Sequence, residues 1–473
     1  MKERELSYTR AKMTKEQFFY AYKQLAQNDK SHLLLESGRG GNLCIAGIHP
    51  LATLRAMKED ALLIQWRNGT EEIREGEPLN LLTDFVRSYE FKTIPELPEF
   101  QGGVAGFISY DYVRRYEDIT SDTIDDLGTP DLFFYHFDQW AVLDIETENV
   151  YFIALPESQL DLMDMKNEWM AAAVIGLEEQ LFTPGEATDT SEETGDLEVS
   201  VTGPQFEEMV RDVQSYISQG DVVQVNLSVR QSKPLSANAL HMYEALRSFN
   251  PSPYMASIGS PEFNVVSGSP ELLLKKRGSE LSTRPIGGTR PRGLDEQTDA
   301  AFELDLLSDE KEKGEHIMLV DLEREDLGRV CVSGTVETDE FMIVEKYSHV
   351  MHLVSNVRGT ATEGISNADI VRGVFPGGTI TGAPKLRTME IIEELEPARR
   401  GLYTGSIGWF GFNGDFELNI VIRTAFIQKG IVYIQAGAGL VADSEPTEEY
   451  IESLAKAKAL WQAKEMAEGK ASR

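Results

Sequence analysis

Two cysteines, Cys44 and Cys331, are all that 473 residues contain. Neither stands at a metal-ligand or redox spacing, which suits a reducing cytoplasm. Long apolar runs are missing as well: none approaches the roughly 20 residues of a membrane span. The opening MKERELSYTRAKM has charge but no apolar core of a signal peptide. Positive charge is scarce. Lys and Arg number 45 against 78 Asp and Glu, a formal net charge of −33, and a nucleic-acid groove needs clustered cations. The acid excess serves solubility. It also means that an anionic ligand would need local cations or a metal beside it. No repeat of solenoid period is present.

What is present is a soluble, globular composition, 41% apolar and 26% charged. The length calls for two domains or one large intertwined body. The stretch from Pro184 to Asp196, PGEATDTSEETGD, has no bulky apolar residue and reads as a linker. It divides an N-terminal region, 1–183, from a C-terminal one, 203–467, with 184–202 between them. Short β-like runs occupy Ser31 to Leu35, Trp140 to Asp144 and Val150 to Ala154. Pro204 opens a helix whose stripe is Phe206, Met209, Val210, Val213, Tyr216 and Ile217, and Gly220 with Asp221 ends it. Val222 to Val229 then reads as a strand. Further strands are expected at Asn264–Ser267, Leu272–Lys275, Ile407–Phe412, Leu418–Phe426 and Val432–Ala436. Further helices are expected at Asp299–Leu322, Ala368–Val374, Pro384–Glu394 and Pro446–Ala467. Grouped strands with grouped helices between them point to an α+β fold.

Two of these helices carry a Glu-x-x-Glu pair: Glu312 with Glu315, followed by His316, and Glu449 with Glu452, followed by Lys456. The spacing puts each pair on one helix face. Four converging carboxylates make a hard oxygen site suited to Mg²⁺; two solvated faces are the alternative. The run from Phe375 to Lys385, FPGGTITGAPK, fails as a phosphate loop because Lys385 does not follow Gly382 directly. Its glycines with Thr379 and Thr381 suit a carboxylate at a helix start, or simply a tight turn. Arg284–Gly293 and Gln435–Gly439 also have glycines that permit close backbone approach.

In order along the chain stand Gly220–Ser228, Ser269-Pro-Glu271, Pro285–Thr289, Glu312–Asp326, Ser348–His352, Phe375–Lys385, Arg423, Gly437–Gly439 and Glu449–Lys456. This series resembles the chorismate-binding family, which includes anthranilate, aminodeoxychorismate, isochorismate and salicylate synthases. The resemblance covers Gly203 to Ala467. It implies large antiparallel sheets packed as a sandwich with helices outside, the N-terminal region intertwined with the catalytic one. It implies Glu315 and Glu452 as direct Mg²⁺ ligands, with Glu312 and Glu449 holding metal-bound waters. Arg423, Lys456, Tyr403 and the N–H groups of Gly288, Thr289, Gly437, Ala438 and Gly439 would orient the carboxylates of chorismate. Glu271 resembles the general acid that protonates the departing 4-hydroxyl, and Thr379 a substrate-side hydroxyl. His352 resembles the histidine facing the substrate ring; a packed core histidine is the alternative.

Gln224 stands where members that add water place a lysine, so the resemblance implies ammonia as nucleophile. Asn226-Leu227 and the compact Glu36–Gly47 segment resemble the para-aminobenzoate branch, giving 4-amino-4-deoxychorismate for folate synthesis. Gly287 departs from this: some members of that branch have a nucleophilic lysine there, and anthranilate synthases an alanine. Amination at C2 with loss of pyruvate, giving anthranilate, is therefore the competing expectation. A silent tryptophan-binding regulator is a third. Glu325 also departs, standing where the family has Asn. Leu33-Leu-Leu-Glu-Ser37 and Asn250–Met255 resemble the aminating members, with Ser37, Pro253, Tyr254 and Met255 forming a tryptophan-like pocket. Neither cysteine lies in a nucleophile elbow, so ammonia from glutamine would come from a separate glutamine amidotransferase subunit.

Overall fold

The computed structural model describes residues 5–38, 42–120, 122–182, 197–347 and 350–469. Two antiparallel sheets, each of 12 strands among the described residues, form its centre. Both draw strands from both halves of the chain. In the first sheet His32–Glu36 pairs with Tyr254–Gly259; in the second Gly103–Ile108 pairs with Ser406–Gly411. The halves are thus intertwined through backbone ladders, as the resemblance implied.

The two sheets bury their inner faces on one another. Leu33, Ile45, Val142, Ile258 and Val265 of the first share a core with Leu54, Ile64, Val104, Phe134 and Leu274 of the second. Helices Lys15–Ala26, Ala239–Phe249 and Lys458–Ala467 cover the outer face of the first sheet through Phe18, Phe19, Tyr22, Leu240, Leu246 and Leu460. Helices Gly203–Gln219 and Lys385–Leu395 close its other end on strand Gln224–Pro234. The expected stripe is what packs there: Phe206, Met209, Val210 and Val213 are buried, and Gly220 at φ 83° stops the helix. The linker segment 184–196 lies outside the described residues. Glu198–Val199, just beyond it, adds a short edge strand to Gln224–Pro234.

Three expected elements are broken in ways that matter to the site. The helix expected at Asp299–Leu322 is two, Glu296–Ser308 and Glu310–Gly328. Asp309 between them caps the second by accepting from the N–H groups of Lys311 and Glu312, at 3.0 and 3.2 Å. The helix expected at Pro446–Ala467 divides into Pro446–Ala455 and Lys458–Ala467. The strand expected at Leu418–Phe426 is Phe416–Asn419 in one sheet and Thr424–Gln428 in the other. The chain crosses between sheets at Arg423, whose φ of 52° lies in the left-handed region. A continuous apolar pattern cannot signal such a crossing, because both strands are buried.

Two buried histidines set an acid limit on this core. His136 packs among the rings of Phe85, Tyr89 and Phe412, at 5.2, 4.8 and 5.8 Å. The His32 Nδ1 shares a hydrogen bond with the Tyr22 hydroxyl, 2.6 Å away. Burial pushes both imidazoles down to about 4. A folded-state value below the unfolded one makes their contribution complete above about 6.5, and it is lost as pH falls toward 4. Each is worth up to about 3 kcal/mol across that window. Urea melts from pH 7 to 4.5 should therefore show falling stability, and His136→Phe should flatten part of the slope. A slope identical to that of the unaltered protein would remove His136 from this account.

Candidate active site

Strand Ile286–Pro291 pairs with Val350–Thr360, and its register slips between Gly287 and Thr289. Gly288 at the slip has φ 63°, a glycine bulge that kinks the strand. The two glycines let helix Glu310–Gly328 come close. A Cβ on Gly288 would stand 3.1 Å from Glu312 Oε2, and one on Gly287 would stand 2.9 Å from His316 Nδ1. On the strand's next residue, Thr289 Oγ1 lies 3.0 Å from His352 Nδ1, which is also 3.2 Å from the Gly288 carbonyl. A carbonyl only accepts, so Nδ1 carries the proton and Nε2 is left as an acceptor. Burial holds this imidazole below its ordinary value.

Glu271 follows strand Asn264–Ser269 at the turn Ser269-Pro270, where its N–H meets Ser269 Oγ at 3.3 Å. Its carboxyl is buried, and Oε1 has no hydrogen-bond partner among the described residues. Burial raises its pKa to about 7, against the opposing pull of the Thr379 hydroxyl, the Arg423 charge and the Ile286 N–H. The buried Thr379 Oγ1 makes no settled hydrogen bond either. Arg423 carries its charge beside Tyr403, Glu452 and Glu271. Burial lowers its pKa, yet no carboxylate among the described residues lies within ion-pair distance of it. A desolvated guanidinium left without an anion is an arrangement that a bound anion completes.

The acidic pairs lie on helices Glu310–Gly328 and Pro446–Ala455. Desolvation first and then Glu312 and Glu452 raise the carboxyl of Glu315; desolvation and Glu452 raise that of Glu449. The influence of Glu452 on Glu315 crosses between the helices and places both in one field. Glu312 is engaged by Arg290 at 2.8 Å, and Glu452 by Lys456 at 2.8 Å. Lys456 also donates to the Gly437 carbonyl at 2.8 Å. Glu315 and Glu449 make no ion pair among the described residues. No three His, Cys, Asp or Glu side chains there are gathered tightly enough to hold an ion by themselves. The donor chemistry nonetheless suits a hard divalent cation, because the four acidic side chains offer oxygen ligands only.

A family model described as chorismate binding enzyme matches residues 30–462. The chain belongs to the chorismate-binding enzymes. It is 47% identical over 463 residues to aminodeoxychorismate synthase component 1 of Bacillus subtilis (strain 168), covering 96% of each chain. It is 42% identical over 451 residues to anthranilate synthase component 1 of Thermus thermophilus, covering 95% of each. Among solved structures, anthranilate synthase component I from Streptococcus pneumoniae TIGR4 superposes with a TM-score of 0.73 at 33% identity, over 90% of this chain and 93% of that one. The two-sheet architecture is that of this family.

Within this family member, Gly437–Gly439 lie in a strand, where their glycines do permit close backbone approach. They end strand Ile431–Leu440 and pair with Asn226–Ser228. Their lack of side chains admits the neighbouring strand: a Cβ on Gly439 would stand 2.2 Å from Gln224 Nε2. Gln224 itself is buried, with Oε1 unpartnered. Lys385 is no phosphate ligand; it pairs with Asp326 at 2.6 Å. Ser348 lies outside the described residues. Ser37, Pro253, Tyr254 and Met255 come together on a separate cavity of about 530 Å³. Pro270 and Ile286 also line it, each one residue from Glu271 or Gly287.

Two buried groups were not anticipated from the sequence. Arg400 pairs with Glu396 at 2.8 Å and donates to the carbonyls of Ile380 and Asn226, at 3.0 and 2.7 Å. It thereby joins the Thr379 loop to the Gln224 strand. The i,i+4 spacing of Glu396 and Arg400 was the available signal, but such pairs are ordinarily exposed. Glu323 is buried beside Asp326 and accepts from Thr283 Oγ1 at 2.8 Å. Burial and that neighbouring carboxylate push it above the usual range.

Proposed function

We propose that this enzyme aminates chorismate with ammonia to give 4-amino-4-deoxychorismate. The observation that carries the reading is Arg423, a guanidinium with no ion-pair partner among the described residues, beside the Thr379 hydroxyl and a Glu271 carboxyl that burial raises to about 7. Such a site receives an anion and offers a proton to an oxygen leaving from it. In the net reaction ammonia forms a bond to C4, the C4–O bond breaks, the departing oxygen leaves as water with a proton from Glu271, and the proton shed by the new ammonium group restores the acid. Arg423 and Tyr403 would hold a carboxylate, and His352 Nε2 would face the ring as an acceptor. Gln224 is neutral at a place where activating water would need a base, which supports ammonia as nucleophile.

Glu315 and Glu452 would bind Mg²⁺, with Glu312 and Glu449 holding its waters. When bound, the ion would neutralise the carboxylates and accept a substrate carboxylate oxygen. A partner subunit, component II in the language of the relatives, would supply ammonia from glutamine. The cavity at Ser37, Pro253, Tyr254 and Met255 would take a tryptophan-like molecule. Similarity over nearly the whole chain to an aminodeoxychorismate synthase component 1, with Asn226-Leu227, favours the C4 product. Gly287 and the likeness to anthranilate synthases favour the competing one.

One assay separates them. The chain with chorismate, Mg²⁺ and ammonium should yield para-aminobenzoate only after a separate aminodeoxychorismate lyase is added, and nothing after exhaustive chelation. Fluorescent anthranilate with free pyruvate, formed without the lyase, would transfer the function to the alternative. Full turnover after chelation would remove the metal.

A further inference from the structure

The Arg400 side chain is 1% exposed, and every N–H it carries is used. Nε and one Nη2 proton go to the two oxygens of Glu396, at 3.0 and 2.8 Å. The other Nη2 proton goes to the Asn226 carbonyl at 2.7 Å. Nη1 donates to the Ile380 carbonyl at 3.0 Å and to Thr404 Oγ1 at 3.3 Å. These are all five donors of a guanidinium, each on its own acceptor. The acceptors hang from segments that carry site groups: Asn226 lies two residues from Gln224, Ile380 follows Thr379, and Thr404 follows Tyr403. The Tyr403 ring lies on the guanidinium, 5.4 Å from its centroid. Thr404 has φ 61°, a left-handed conformation that a β-branched residue keeps only under constraint. Its hydroxyl donates to the Tyr403 carbonyl at 2.6 Å, and its N–H donates to the Val421 carbonyl at 2.8 Å, two residues before Arg423. A buried ion pair adds little net stability over apolar packing. What this one supplies is a fixed geometry.

We propose that Arg400 is a positioning residue that sets the spacing of the Thr379 loop, the Gln224 strand and the Tyr403–Arg423 turns around chorismate. It acts through those segments, and the planar fork is what the role requires. Lysine carries three donors on a single atom and cannot serve five acceptors spread about a plane. The strained Thr404 is the second half of the device, because its hydroxyl passes the constraint from Arg400 to Tyr403. The proposal rests on the reading that Tyr403 and Arg423 hold a carboxylate of chorismate and that Glu271 donates the proton.

Steady-state kinetics across pH test it, with folded protein counted by near-UV circular dichroism. Arg400→Lys keeps the charge beside Glu396 but loses the fork. Per folded molecule its kcat should fall about 10²-fold, the scale of an ångström of misplacement. Its alkaline limb should also move to higher pH. The Thr379 hydroxyl and the Arg423 charge hold the Glu271 pKa down, and both stand on segments tied to Arg400, so slack in either lets it rise. Glu323, the other buried carboxyl in its field, is held by Thr283 instead, and the Ile286 N–H belongs to a strand that Arg400 does not touch. Thr404→Gly decides the matter if Arg400→Lys does not fold. Glycine adopts φ 61° without strain, so this variant should melt within about 3 °C of the parent. Without the bridging hydroxyl, its chorismate KM should rise about tenfold, the worth of one buried hydrogen bond. Activity lost only in proportion to folded protein, with the parent's chorismate KM and pH limb, makes Arg400 a structural cation; that overturns the proposal and leaves amination intact. No aminated product from the unaltered chain at any ammonium concentration overturns the amination reading, and the proposal with it.

Discussion

Glu271→Gln should lower kcat by about 10²- to 10⁴-fold, the usual worth of a positioned general acid. It should also abolish the alkaline limb of the pH profile. A carboxyl raised from 4.5 to about 7 is protonated below that value, so proton donation fails as pH rises through 7. Glutamine keeps the shape and the buried position but titrates nowhere in this range. Stability separates this effect from damage to the fold. A folded-state carboxyl pKa above the unfolded one costs stability progressively as pH rises from about 4.5 to 7, up to about 3 kcal/mol. The amide escapes that cost, so the variant should melt no lower than the parent at pH 8, and higher if anything. Retained kcat, or a limb still centred near 7, would assign the proton to another group. Glu323, buried with its carboxyl also raised, would be the next to test.

The environment that makes Glu271 an acid could not be read from Ser269-Pro270-Glu271. Its residue type and place in the motif series were legible; its desolvation was not. It arises from burial in the packed fold, which also brings Thr379, Arg423 and Ile286 beside it from elsewhere along the chain. The same division holds elsewhere. The stripe from Phe206 to Val213 was visible because amphipathic periodicity is local. Where two buried strands belong to different sheets, as on either side of Arg423, periodicity has nothing to say. Glycines were the hardest to interpret. Gly437 and Gly439 sit in a ladder against Ser228 and Asn226, with the Gln224 side chain against Gly439, selected by close approach rather than by turning. Gly288 does turn, at a bulge. One residue type answered two different constraints.

The acidic helices show a further limit. The i,i+3 spacing announced Glu312, Glu315, Glu449 and Glu452 on two faces, but spacing does not reveal competing partners. Arg290 engages Glu312, and Lys456 engages Glu452. Glu315 and Glu449 make no ion pair among the described residues, a distinction that only the packed arrangement supplies.

Arg423→Asn should raise the chorismate KM about 10²-fold while leaving the ammonium KM near that of the parent. Truncating one partner of a desolvated charge pair costs about 2–5 kcal/mol, and loss of a contact made equally before and during reaction falls on KM. Asparagine is the informative replacement because it tolerates the left-handed backbone that Arg423 occupies at φ 52°. The variant therefore removes the cation without adding strain. Without a bound anion, burial works against the guanidinium, lowering its pKa with no carboxylate among the described residues at ion-pair distance to offset it. The unliganded variant should then melt at or above the parent temperature, and chorismate should stabilise the parent but not the variant. Binding and stability would move in opposite directions, as expected of a residue kept for its ligand. A lower melting temperature with an unchanged chorismate KM would make Arg423 a structural cation at the sheet crossing, and would leave the substrate carboxylate to Lys456.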